Sequence, residues 1–335
     1  MKAAFKTGRE RFEIRDIDPP QIGPNDCLIR VHYCATCVWC YKEWLRDGTD
    51  DIYGPGATGH EMSGVVERVG ADVTKWRVGD EVLTYFSGHC EVCPECRAGR
   101  TTYCANPDRP RNVAGGYAQY VAAAEQCLLP SPKGIDLKHA ALITDMVGTS
   151  MHAIRRAFSV NLSRDVVAVW GLGPVGLFTV QGLRCFEGVR CVIALDPIRS
   201  RREVAMRLGA DIILDPLEKG TQERLRAQND GRGANYAFNC ALASAEMPYN
   251  TLGPDGYLMN ITGGFTTQSQ CEKRVDGSFY FFKKEFEENV CFVLGGRIRL
   301  EPVLTHEFPL SEINEAMELR AKHPAESLKV VIGCF

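Results

Sequence analysis

The stretch that most restricts the fold is Val166-Val-Ala-Val-Trp170, an apolar run that ends on Gly171-Leu-Gly173-Pro174-Val175-Gly176 and passes into an apolar helical pattern. A glycine triplet alone says little, but between a strand and a helix each glycine has a task. Gly171 permits the tight turn, Gly173 lets a pyrophosphate approach the backbone, and Gly176 lets helix and strand pack closely. The helix N-terminus then offers free N–H groups to the anion. About 20 residues further on, a second strand-like run ends at Asp196, a carboxylate placed to accept hydrogen bonds from an adenosine ribose. It would repel a 2′-phosphate, so the pattern favours NAD. Arg199, Arg201 and Arg202, just beyond it, keep NADP open.

From about Val147 the texture alternates between strand and helix. Val166–Trp170, Arg190–Leu195, Asp211–Leu214, Tyr236–Cys240 and Tyr257–Ile261 read as strands and Ser200–Leu208 as a helix, which implies a parallel sheet covered on both faces. The first ~145 residues read as β-rich, with Cys27–Tyr33, Met62–Val69 and Glu81–Tyr85 separated by turn-forming clusters, as in a compact barrel-like domain. A helical segment, Leu310–Lys322, and a strand, Leu328–Ile332, close the chain. The expected division is a catalytic domain over 1–146, a dinucleotide domain over 147–294 and a return to the first domain over 295–335.

A length of 335 residues accommodates two domains. The net charge of -3, with lysines and arginines dispersed, lacks the basic footprint of a nucleic-acid binder. Met1–Asp18 is charged throughout and has no signal-like apolar core. Val166–Val180 is broken by glycines and a proline and is too short to span a bilayer. A cytoplasmic protein with a small-molecule ligand and neither nucleic-acid nor membrane partner is expected. Its 15 cysteines do not read as a secreted disulfide scaffold, because such scaffolds are normally much shorter chains. They cluster at Cys34, Cys37 and Cys40 and again at Cys90, Cys93, Cys96 and Cys104, which points to metal. Isolated ones such as Cys185, Cys191, Cys240 and Cys291 read as small buried hydrophobes.

Cys90-x2-Cys93-x2-Cys96-x7-Cys104, in a lobe over 86–106, supplies four thiolates, which complete a tetrahedral shell around zinc and leave no open position. The spacing differs from ferredoxin-type iron–sulfur runs. The adjoining His89 reads as a lobe-surface imidazole. A catalytic zinc needs about three ligands and an open position. Cys37 after a strand-like run, His60-Glu61 opening another, and Asp145 before the change of texture are the candidates.

In these features the chain resembles the zinc-dependent medium-chain alcohol and polyol dehydrogenases over nearly its whole length. Asp145, within Ile143-Thr-Asp-Met-Val-Gly-Thr-Ser-Met-His152, is most similar to the bacterial secondary-alcohol branch. The resemblance implies a Rossmann-type doubly wound sheet inserted into a GroES-like β-barrel catalytic domain, with substrate in the cleft between them. It implies two zinc ions per chain, NAD or NADP as cofactor, and a homodimer or homotetramer. By the same matching, Cys37, His60 and Asp145 hold the catalytic zinc, with Glu61 as an alternating ligand or inner partner. Thr149 and Val175 touch the nicotinamide, and Asp196 and Arg201 lie at the ribose.

The relay positions depart from that pattern. A hydroxyl residue, an aspartate and a histidine are implied where this chain has Trp39, Cys40 and Lys42. Tryptophan cannot shuttle the proton, and losing the aspartate removes a partner of the ligating histidine. Three routes remain: Glu61, water or Lys42 carries the proton; a polyol, aminocyclitol or amino alcohol supplies its own acid or base; or the reaction reduces an iminium or conjugated bond and needs no relay. Trp39 and Trp44 are expected to line the substrate side, or else to pack in the core. A reading from another class is a non-catalytic, zinc-stabilised nucleotide-binding protein.

Overall fold

The computed structural model describes residues 1–49, 54–262 and 272–335. The chain divides into two compact units: Met1–Asp145 with Phe282–Lys284 and Val303–Phe335, and Met146–Phe281 with Glu285–Pro302. Residues 295–302 thus pack with the second unit. Arg299 shows why: its backbone N–H donates to Gln181 Oε1 at 2.8 Å, and its carbonyl accepts from Gln181 Nε2 at 3.2 Å.

In the first unit the principal sheet runs Leu304–Pro309, Lys329–Gly333, Asp26–Ala35, Glu61–Val69, Glu81–Thr84 and Leu128–Pro130, and Tyr120–Ala124 also pairs with Asp26–Ala35. The central strand alternates between neighbours on the pleat and buries Cys27, Ile29, Val31 and Cys34 in one core with Met62, Val82, Val330 and Ile332. A terminal hairpin, Lys2–Gly8 with Arg11–Asp16, pairs with itself.

The second unit holds an all-parallel sheet in the order Ile212–Leu214, Cys191–Leu195, Val166–Trp170, Ala234–Asn239, Leu252–Asn260 and Arg274–Gly277. The strands proceed outward from the first to the third on one side and from the fourth to the sixth on the other, the doubly wound arrangement that opens a crevice where the direction reverses. Val166–Trp170 is buried at every residue, as a strand covered on both faces must be. The expected helix at Ser200–Leu208 spans Arg199–Arg207, and that at Leu310–Lys322 is a tight turn, Leu310–Glu312, followed by Ile313–Lys322. Cys291, expected among the buried cysteines, is exposed, because its helix Phe286–Leu294 buries Phe286 and Asn289 instead. Among the described residues no helix is long and apolar enough to cross a membrane.

Trp44 resolves to the core alternative. It is 2% exposed, packs with Ile313, Ala316 and Met317, and its indole N–H donates to Asn314 Oδ1 at 3.0 Å. Its burial and its polar tip join helix Val38–Leu45 to Ile313–Lys322. Trp44→Ala is expected to cost about 3–5 kcal/mol of stability in denaturant unfolding. An unchanged unfolding midpoint with a raised KM would instead assign Trp44 to the substrate side.

Candidate metal centre and cofactor loop

Three neighbouring strands bring the metal-ligating side chains to one end of the first unit's sheet. Ala35 pairs with Glu61 on one side and Val331 on the other. Two residues past Ala35, Cys37 caps the helix Val38–Leu45. His60 directly precedes the strand that Glu61 opens, and Lys329 opens the closing strand, with Thr36 N–H donating to Val330 O at 2.9 Å. Asp145 arrives from a π-helical turn, Ile143–Val147, between the helices Leu137–Leu142 and Gly148–Phe158. Such turns widen the helical ladder and recur at functional sites.

The four candidates converge. Cys37 Sγ is 3.4 Å from His60 Nε2, which is 3.6 Å from Asp145 Oδ2. One ligand atom from each of Cys37, His60, Glu61 and Asp145 lies within 4.8 Å of all the others. Zinc bonds of about 2.0–2.3 Å place neighbouring ligand atoms of a tetrahedral shell roughly 3.3–3.8 Å apart. His60 Nδ1 lies 2.8 Å from Thr58 O, so Nδ1–H donates to that carbonyl and Nε2 is the nitrogen turned to the centre. The Thr58 carbonyl takes the orienting task that the resemblance gives to an aspartate at position 40.

Glu61 and Lys329 are both fully buried, with Lys329 Nζ donating to Glu61 Oε1 at 2.6 Å. Glu61 Oε2 is buried without a hydrogen-bond partner among the described residues. Burial pushes the Glu61 carboxyl well above its ordinary value, although Lys329 opposes the shift. Burial would also raise Asp145, but hydrogen bonding and charge from His60 hold it below the usual range. His60 shows the reverse: burial lowers it, and Asp145 with Cys40 and Glu61 outweighs this, to about 10. As metal donors, Cys37, Glu61 and Asp145 would supply three negative charges, against one positive charge on Lys329. The difference of two is what a divalent cation neutralises, and Glu61 offers a carboxylate oxygen to the same cluster. The donor set fits zinc. Lys329 was not foreseen, although a lone lysine inside the apolar run Leu328–Ile332 was the available sign.

The second cluster lies in the lobe. Cys90 Sγ is 4.0 Å from Cys96 Sγ, Cys93 Sγ is 3.9 Å from Cys104 Sγ, and all four sulfurs lie within 4.8 Å of one another. Burial opposes ionisation of Cys90, but the Val92 N–H, the Asn106 side chain and the Cys93 N–H outweigh it and hold the thiol down to about 6. His89 is not a surface group: it is fully buried, its Nδ1 is 2.9 Å from Ser87 O, and it packs edge-on to Tyr85.

In the second unit Gly171 adopts φ 85°, and a Cβ on Gly176 would stand 1.9 Å from Gly171 O. A Cβ on Gly173 would meet nothing within 4 Å, so this glycine faces space that a diphosphate can enter. Asp196 closes the strand-to-loop junction: Oδ2 accepts from Leu172 N–H at 2.7 Å and Oδ1 from Ile198 N–H at 2.8 Å. Arg201 Nη1 lies 3.8 Å from Asp196 Oδ2. Pro174 and Val175 open the helix Pro174–Leu183, and Thr149 lies in the first turn of Gly148–Phe158. Trp39 is 68% exposed, with Lys42 Nζ 6.0 Å from its ring centroid.

The Alcohol dehydrogenase GroES-like domain family matches residues 23–133, and the Zinc-binding dehydrogenase family matches 174–293. The chain is 28% identical to L-threonine 3-dehydrogenase of Caldanaerobacter subterraneus subsp. tengcongensis, over 94% of this chain and 93% of that protein. It is also 28% identical to sorbitol dehydrogenase of Halalkalibacterium halodurans, over 99% of each chain. Alcohol dehydrogenase TADH from Thermus sp. ATN1 shares the fold at a TM-score of 0.86, with 23% identity and 99% of each chain covered.

The purified protein is expected to carry about two zinc ions per chain, and Cys37→Ser or Asp145→Ala about one, by elemental analysis. Lys329→Met leaves a buried carboxylate unpaired and is expected to destabilise the fold by about 3–5 kcal/mol. Adding Glu61→Gln should restore most of that loss in denaturant unfolding; a double variant no more stable than the single would show that the pair does not carry it.

Proposed function

This chain belongs to the zinc-dependent medium-chain alcohol dehydrogenase family, and we propose that it oxidises a secondary alcohol flanked by an amine or a further hydroxyl, with NAD as acceptor. The observation that carries this is the convergence of Cys37, His60, Glu61 and Asp145 on one point. Within the family the chain is an oxidoreductase, which sets aside the non-catalytic reading. Its first unit is GroES-like and its second Rossmann-type.

When bound, zinc supplies Lewis acidity toward the alcohol oxygen and the nicotinamide accepts the hydride. The protein's own residues do the rest. Cys37 Sγ, His60 Nε2 and an Asp145 oxygen would hold the ion, and the Thr58 carbonyl fixes the imidazole. Gly173 would admit the diphosphate, and Asp196, which ties the glycine loop to the neighbouring strand, would meet the adenosine ribose. Glu61 Oε2, held in place through Oε1, is the buried group able to take a proton.

Trp39 stands where the resemblance implies a hydroxyl, so the outward proton route of a simple alcohol is broken. A substrate with its own neighbouring amine or hydroxyl restores it, which is why the amino-alcohol and polyol classes are favoured. The absent hydroxyl equally favours a second reading, reduction of an iminium or conjugated bond.

The test is a parallel screen with NAD and NADP over amino alcohols, polyols, simple secondary alcohols and, in reverse, iminium and enone compounds. Turnover of amino alcohols or polyols with NAD is expected. Trp39→Thr should raise kcat on simple secondary alcohols by about 10-fold or more, within what a positioned proton carrier contributes. Activity confined to iminium or conjugated substrates would replace the proposal by the second reading.

A further inference from the structure

We propose that Cys40 is itself a metal ligand: with Cys37 and His60 it forms a second, thiolate-rich seat sharing the Cys37–His60 edge with the Asp145 seat, and a thiophilic divalent ion such as cadmium occupies it. The inference rests on the reading of Cys37 and His60 as ligands and adds to it a donor at position 40, where the family resemblance implies a carboxylate that only orients the histidine.

Cys40 Sγ lies 3.8 Å from Cys37 Sγ. Two thiolates on one ion at about 2.3 Å stand roughly 3.8 Å apart in a tetrahedral shell, and the sulfur pairs of the four-cysteine lobe measure 4.0 and 3.9 Å. Ligand atoms of Cys37, Cys40 and His60 all lie within 4.8 Å of one another, whereas Glu61 and Asp145 join Cys37 and His60 in a separate set. One edge therefore serves two seats: one completed by hard carboxylate oxygens, the other by a soft sulfur. Thiolates select thiophilic ions over oxygen-seeking ones.

Two observations free Cys40 for this role. The Thr58 carbonyl already orients His60 through Nδ1 at 2.8 Å, so position 40 has no orienting task. The Tyr117 hydroxyl is fully buried without a hydrogen-bond partner of good geometry among the described residues, so no well-formed Tyr117 hydrogen bond holds the Cys40 sulfur. Seating the ion is ligand exchange without electron transfer: a metal–sulfur bond forms as the Cys40 proton leaves to solvent. The two thiolates cancel the ion's charge, and the Glu61–Lys329 pair stays intact.

The full-length protein is stripped of zinc, loaded with cadmium and measured by cadmium NMR, in which each added thiolate moves the resonance downfield. The ion in the four-cysteine lobe is the internal reference and, unchanged between proteins, shows that a variant has folded. The second ion is expected to report two thiolates in the native protein and one in Cys40→Ser, with cadmium affinity by chelator competition about 10-fold weaker in the variant. A second ion with the same shift and affinity in both would overturn the proposal while leaving the Cys37–His60 centre standing. A single cadmium per chain, in the lobe only, would overturn the centre and this inference together.

Discussion

Ala35 faces Glu61 in one neighbouring strand and Val331 in the other, and that double register assembles the centre. Side chains alternate along a strand, so a slip of one residue on either side would turn Glu61 or Lys329 to the opposite face of the sheet. A carboxylate and an ammonium with no exposed surface, 2.6 Å apart, would then each be buried alone. Such an arrangement costs several kcal/mol per ion. The register is defended by packing as well, because Cys34, Met62 and Ile332, all in the same three strands, occupy one core.

The charge arrangement explains why Lys329 pairs with Glu61 and leaves Asp145 to His60. Glu61 is the more deeply buried carboxylate and has the larger desolvation cost, so the ammonium is needed there. Asp145 is partly exposed and finds His60 Nε2 at 3.6 Å. A divalent ion among the same groups would bring them to neutrality with His60 uncharged.

Much of the fold was readable because its signals are local. Val166–Trp170 with Gly171–Gly176 carries its own periodicity and turn chemistry, and the four thiols of the lobe lie within one short segment. Cys37, His60 and Asp145 needed the family resemblance, since each alone is an ordinary packing residue. Lys329 and the Thr58 carbonyl escaped because their roles exist only through pairing across long sequence separations. Trp44 was ambiguous because its partner Asn314 is 270 positions away. His89 was misplaced to the surface because proximity to a charged, glycine-containing lobe says nothing of the Tyr85 ring that covers it.

The departures at 39, 40 and 42 are not equivalent. Position 40 can change because a backbone carbonyl, indifferent to sequence, orients His60; whatever occupies 40 is then free to acquire another use. Position 39 has no such understudy: the indole is mostly exposed, and Lys42, at the third position where the resemblance implies a proton carrier, has its ammonium 6.0 Å from the ring centroid. An ammonium near an indole face is attracted to it, which draws Lys42 toward Trp39 and away from service as a free acid. On the proposed function the substrate brings the missing proton acceptor, and substrate choice follows from the residues at 39 and 42.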